Sequence, residues 1–124
     1  MPASIKVIAV TGLSTDGGGY GFFAPDWTKS PFNLGLGVVL TTTASTNTYT
    51  VQHTFDYNGS SNFVANSTQG TGTSSSPYWF NHSTMVNATS NLDSNYAFPV
   101  TGIRLYVTAG ASTTTTTLSI VSAG

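Results

Sequence analysis

Apolar side chains in this 124-residue chain recur at every second position rather than every third or fourth. In residues 48–55, Tyr49, Val51, His53 and Phe55 share one side of an extended chain, and Thr48, Thr50, Gln52 and Thr54 share the other. Side chains of a β-strand alternate across the sheet, so this spacing predicts a strand with one buried face. Ile103, Leu105 and Val107 alternate in the same way with Arg104, Tyr106 and Thr108. A further strand is expected over residues 114–122, and the intervening Ala109-Gly110-Ala111 reads as the turn of a β-hairpin. Near the start, Ile5, Val7 and Ala9 fall on one face and Lys6, Ile8 and Val10 on the other, which predicts an opening strand apolar on much of both faces.

Turn-forming residues divide these runs. Gly17-Gly18-Gly19 ends the opening strand, residues 20–23 read as a short strand, and Pro25, Pro31 and Gly35 mark residues 24–37 as a loop anchored by Trp27 and Phe32. The β pattern resumes at residues 38–40. Asn58-Gly59 accepts positive φ at both centres of a type I′ turn, so a hairpin into residues 62–65 is expected, followed by a Ser/Thr/Gly loop over 66–77. Only residues 83–92 have any helical potential, and Asn87, Thr89, Ser90 and Asn91 weaken it. Many short strands with turns between them predict an all-β fold, an antiparallel β-sandwich or jelly roll, as a single domain spanning residues 1–124.

Charge narrows the function classes. Charged residues make up 6% of the chain, against about 25% in ordinary globular domains. A net charge of -1 offers no basic stripe to release counterions from phosphates, which argues against nucleic acid and against anionic membranes as partners. No stretch approaches the roughly 20 apolar residues of a membrane span. The opening apolar run is too short for a secretory signal and lacks a charged leader, so a soluble chain made in the cytosol is expected. With no cysteine, burial and backbone hydrogen bonds must hold the fold. Hydroxyl and amide surfaces desolvate more cheaply than charged ones and lack the repulsion that keeps monomers apart, which suits faces covered by neighbouring subunits.

Chemistry-bearing residues are few. The acids are Asp16, Asp26, Asp56 and Asp93, there is no Glu, and the histidines are His53 and His82. Asp56 lies three residues from His53 on the opposite face of the strand, and no Gly-x-Ser-x-Gly elbow occurs, so no catalytic residue is assigned and the chain is not expected to be an enzyme. No metal-ligand spacing is present, and neither a metal nor a cofactor is expected; His53, among Tyr49, Val51 and Phe55, reads as a hydrogen-bonded core histidine. The glycine-rich run from Asp16 to Gly21 lacks the Gly-Lys-Ser/Thr of a phosphate cradle and reads as a turn. Sequons at Asn58, Asn66, Asn81 and Asn87 read as products of composition. Tyr78-Trp79-Phe80, with Asn81 and His82 after it, has the makings of a sugar-stacking platform, yet three consecutive aromatics on a strand cannot all face one way. At least one must be core. Tyr78, Trp79 and His82 are the candidate contact residues, for a protein partner or a glycan.

Several segments in order carry a resemblance: Val-Gln-His-Thr-Phe-Asp at 51–56, Trp-Phe-Asn-His at 79–82, Asn-Tyr-Ala-Phe-Pro-Val at 95–100, Gly-Ile-Arg-Leu-Tyr-Val at 102–107, and the closing Leu-Ser-Ile-Val-Ser-Ala-Gly at 118–124. Together they resemble a family of small virion proteins of tailed bacteriophages. The likeness covers the last three-fifths of the chain. The family pattern runs Pro-Val-Arg-Ala-Ile-Arg-Leu, and here Thr101-Gly102 stands in place of Arg-Ala. The resemblance implies a virion component, first a capsid decoration or cement subunit of the phage head, with a head-fibre or tail accessory protein as the alternative. It implies contact with the major capsid protein or another virion protein, and the uncharged surface adds contact with copies of itself, expected as a homotrimer. A carbohydrate-binding adsorption module on the virion is the reading from a different class.

Overall fold

The computed structural model describes residues 4–11, 21–25, 32–40, 48–55, 78–109 and 115–122. Among them every regular element is a strand: β1 (Ser4–Thr11), β2 (Gly21–Phe23), β3 (Leu34–Leu40), β4 (Thr48–Thr54), β5 (Trp79–Asn81), β6 (Leu92–Tyr96), β7 (Gly102–Ala109) and β8 (Thr115–Ser122). They form two antiparallel four-stranded sheets, ordered β1-β8-β3-β6 and β2-β7-β4-β5. Successive strands alternate between the sheets except β4 and β5, which are neighbours. That is the strand order of an eight-stranded jelly roll, two interleaved Greek keys. No helix among the described residues is long and apolar enough to cross a membrane.

Directly opposite residues of paired strands put their side chains on the same side, so register turns the alternation of each strand into continuous layers. Ile8, Leu118 and Val38 form one such row across β1, β8 and β3, and Leu36 pairs with Ile120 in the next. The other sheet answers with Val51 beside Leu105 and Tyr49 beside Val107. These side chains are buried and form one core with Val10, Leu34, Met85, Tyr96, Val100 and Ile103. The two apolar faces of β1 have different fates: Ile8 and Val10 enter the core, whereas Ile5 and Val7 are 72% and 57% exposed.

Several expectations change. Residues 34–37 are strand rather than loop, because Gly35 and Gly37 occupy outward positions between the inward Leu34, Leu36 and Val38. Glycine punctuates a sequence, but here it falls on the period of two. Strand β4 is buried on both faces, not one, and Phe55 beyond its end is exposed. Strand β6 has no alternation of its own; its polar residues are held extended by pairing with β3 from Leu34↔Tyr96 to Val38↔Leu92. The last two strands are not a hairpin. β7 lies between β2 and β4, and β8 lies between β1 and β3 in the opposite sheet. Alternation states that a strand has a buried face and is silent on which sheet receives it.

Residues 83–91 hold no helix: Ala88 bridges Tyr49, and Asn87 sits at a φ of 48°, a conformation Asn tolerates better than most residues. The Gly17–Gly19 turn, Tyr20, Trp27, the Asn58-Gly59 hairpin, the loop over 66–77 and Gly110-Ala111 lie outside the described residues.

The face assignment is testable by paired truncations. Leu118→Ala should lower unfolding free energy by about 2–5 kcal/mol, the range for emptying a buried leucine site. Val7→Thr, on the exposed side of the neighbouring strand, should stay within about 0.5 kcal/mol. Urea denaturation followed by fluorescence reads both; equal losses would mean that β1 and β8 are wrongly faced.

Candidate functional site

Strand β5 brings the candidate contact residues to the edge of its sheet. Its register with β4 pairs Thr54 with Trp79, His53 with Phe80 and Gln52 with Asn81, so Trp79 and Asn81 point to the outer side and Phe80 to the inner side. Trp79 is fully buried. The Arg104 guanidinium stacks over its ring at 4.2 Å from the centroid, and Phe22 meets it edge-on at 6.0 Å. Arg104 Nε donates to Gln52 Oε1 at 2.8 Å, and Gln52 Nε2 donates to Asn81 Oδ1 at 2.9 Å.

Phe22, Arg104, Gln52 and Asn81 are register partners in one row across all four strands. A desolvated guanidinium over an indole gains on the order of 2 kcal/mol, which helps to hold a buried cation. Among the described residues the indole N–H has no hydrogen-bond partner, and the cation above the ring is a polar contact that Trp79 keeps.

His82 is 5% exposed, and both its ring nitrogens are engaged. Nδ1 accepts from the backbone N–H of Thr84 at 3.1 Å and of Met85 at 3.3 Å. A nitrogen that accepts carries no proton, so Nε2 bears it and donates to the Asn95 carbonyl at 3.0 Å. His82 therefore staples the turn after β5 to strand β6. His53 Nδ1 pairs with the Tyr96 hydroxyl at 2.8 Å. Burial, and secondarily the nearby His82, push the His53 pKa down to about 4. Burial also raises both tyrosine hydroxyls, that of Tyr49 to about 12 while it donates to the Ser90 carbonyl at 2.7 Å, and that of Tyr96 further still.

The structure thus separates the three candidates. Trp79 and His82 are interior, and only Tyr78, 44% exposed, presents surface. A different group gathers around His53, where edge strand β5 of one sheet meets edge strand β6 of the other. Phe55, Phe80 and Phe98 are each part-exposed, with ring centroids 5.9 Å apart for Phe55–Phe80 and 6.0 Å for Phe55–Phe98. Phe80 was legible in the sequence as part of the aromatic run 78–80, and the alternation had pointed Phe55 inward. A second uncovered surface is the outer face of β1-β8-β3-β6, where Ile5, Val7, Val39 and Val121 are exposed.

Among the described residues no three His, Cys, Asp or Glu side chains converge as metal ligands do. The chemistry on offer is recognition by apolar and uncharged polar surface. No family model, no curated protein and no solved structure matches the chain.

Two outcomes follow from these contacts. Trp79→Ala should cost about 3–5 kcal/mol in unfolding free energy, because it empties a large buried site and removes the platform beneath Arg104. The pH dependence follows from His53, whose folded pKa lies below its unfolded value of 6.5. Above that value both states are neutral and the full stability is present. As pH falls from 6.5 towards 4, the unfolded chain takes up a proton that the folded chain resists, and stability drops by on the order of 2 kcal/mol after allowance for screening. Denaturant midpoints at pH 7, 5.5 and 4 should show this fall in the wild type and a flatter profile in His53→Gln.

Proposed function

We propose that the chain is a structural subunit of a bacteriophage virion, a capsid decoration (cement) protein that stabilises the head through protein–protein contacts. The observation that carries this reading is the asymmetry of the sandwich. On one outer face, Thr50, Gln52, Thr54, Trp79 and Arg104 are buried; on the other, Ile5, Val7, Val39 and Val121 stand in water. Arg104, one of three basic residues in the chain, is consumed by the interior, which leaves the surface poorer still in charge. Uncovered apolar faces without charge suit burial against neighbouring subunits.

The resemblance over the last three-fifths of the chain supports the same reading. The jelly roll lends analogy only, since virion proteins and lectins both use it. Contacts with copies of the chain and with the major capsid protein or another virion protein are part of the proposal, and no catalysis is assigned. The carbohydrate reading has less to stand on, because two of its three contact residues, Trp79 and His82, are interior.

The test is made on particles. A subunit that binds the expanded shell but not its broken form stabilises it by linkage, and many weak sites sum to a large effect. Particles lacking the subunit should release their genome at a lower temperature, and cryo-EM should place its density at many symmetric positions on the head. Unchanged release with density confined to the tail would replace this reading by the fibre or tail one.

A further inference from the structure

The outer face of β1-β8-β3-β6 has a feature that the isolated chain does not explain. Strand β3 reads Leu34-Gly35-Leu36-Gly37-Val38, with both glycines turned outward. Its register with β8 runs without a bulge from Leu34↔Ser122 to Leu40↔Thr116. Glycine inside a strand costs roughly 0.5–1 kcal/mol relative to alanine. In an unbulged strand it marks a place where another backbone or a ligand approaches closely. Among the described residues nothing does so. A Cβ at Gly37 would meet no described atom within 4 Å, and one at Gly35 would only touch Val121 at 3.9 Å. The two glycines make a shallow trough open to the outside.

A ridge stands beside the trough. Register places Ile5, Val121, Gly35 and Asn95 in one outward row, and Val7, Ser119, Gly37 and Asp93 in the next. Asp93 is the one charged side chain in these rows, and it lies on the edge strand β6, where its carboxylate can stay at the rim. Ridge and trough are therefore neighbours on β8 and β3, and the face between them is uncharged.

We infer that this face packs against the same face of a second copy of the chain, with Val121 and Ser119 of each copy seated in the Gly35–Gly37 trough of the other. A two-fold axis parallel to the strands and midway between β8 and β3 exchanges those strands across the contact while preserving position along them. Val121 is the register partner of Gly35 and Ser119 of Gly37, so that single operation sets each protruding side chain over a glycine. The contact is isologous and closed.

Strands about 4.8 Å apart, of eight, eight, seven and five residues rising about 3.3 Å each, give a face of roughly 450 Å² per copy. The pair then covers about 900 Å², close to the lower bound for a specific interface and suited to a weak, reversible contact. With Asp93 on the edge strand, the uncharged centres of the two faces meet without repulsion. The inference rests on reading the chain as an assembling subunit, and a dimer takes the place of the homotrimer expected from the sequence.

Sedimentation equilibrium of the full chain tests it without the particle. A reversible monomer–dimer equilibrium is expected in the wild type. Gly37→Val adds a side chain that the monomer has room for, and Val121→Lys puts a charge on the ridge. Each should weaken dimerisation at least about tenfold, or about 1.4 kcal/mol. Urea midpoints measured at dilute, monomeric concentration should be unchanged, or raised for Gly37→Val. Phe98→Ser, at the separate aromatic patch, should leave the dimer intact.

A wild type that stays monomeric, a trimer, or a dimer lost in Phe98→Ser but kept in Gly37→Val and Val121→Lys would each overturn the contact. Particle binding is measured separately. A dimer broken by the two face variants upholds the inference whether or not the chain decorates a capsid, so failure of the virion role is read on its own.

Discussion

Strand β4 is closed to water on both faces and bonded along both edges, and much of the molecule is arranged to make that tolerable. Every side chain from Tyr49 to Thr54 is buried, including four polar ones. A buried polar group without a partner costs about 1–3 kcal/mol, so each must be answered. The Thr50 hydroxyl accepts from the Asn87 N–H, Gln52 links Arg104 to Asn81, and His53 pairs with Tyr96, while the Thr54 main-chain carbonyl accepts from the Thr101 N–H. Beyond β5, the chain keeps bonding to the same edge: Val51 donates to the Met85 carbonyl, and Tyr49 and Ala88 exchange a pair of bonds. The irregular segment after β5 is thereby made to follow β4 instead of forming a helix.

These polar links also set register. A slip of one residue between β4 and β7 would turn either Arg104 into the apolar core and Leu105 out of it, or Gln52 in and Val51 out. The row Phe22–Arg104–Gln52–Asn81 therefore acts as a lock across four strands, and its strength comes from the low dielectric that makes mismatches costly. Trp79 lies beneath that lock, which is why a residue that looks like a binding platform serves the interior. His82 is withdrawn from the surface by the same economy of polar groups, since its two nitrogens satisfy a turn and an edge strand.

With one outer face used to bury the lock, the surfaces left for contact are the opposite face and the aromatic edge. Among the described residues the only charge in the outward rows of the opposite face is Asp93 on edge strand β6, and neither surface has the geometry of an acid–base pair. What they offer is area and shape, the properties by which subunits hold to one another. The glycine trough on β3 and the ridge on β8 make the flat face the more specific of the two.

Period-two alternation in residues 48–54 and 103–108 was enough to determine an all-β chain with inward Tyr49, Val51, Ile103, Leu105 and Val107, because the side-chain period of a strand is a local property. Partnering was decided only in three dimensions. Leu118 and Ile120 fit either sheet equally well, and only the closing of the sandwich set β8 between β1 and β3 rather than beside β7. The polar strand β6, the closure of both faces of β4, the interior fate of His82 and which of the three aromatics goes inside were illegible for the same reason: each depends on what lies across a sheet, tens of residues away in the chain. Gly35 and Gly37 show the limit most plainly, since the same residue type reads as a turn along the sequence and as a trough once its neighbours are Val121 and Ser119. Periodicity is carried by neighbours along the chain, whereas burial is conferred by neighbours in space.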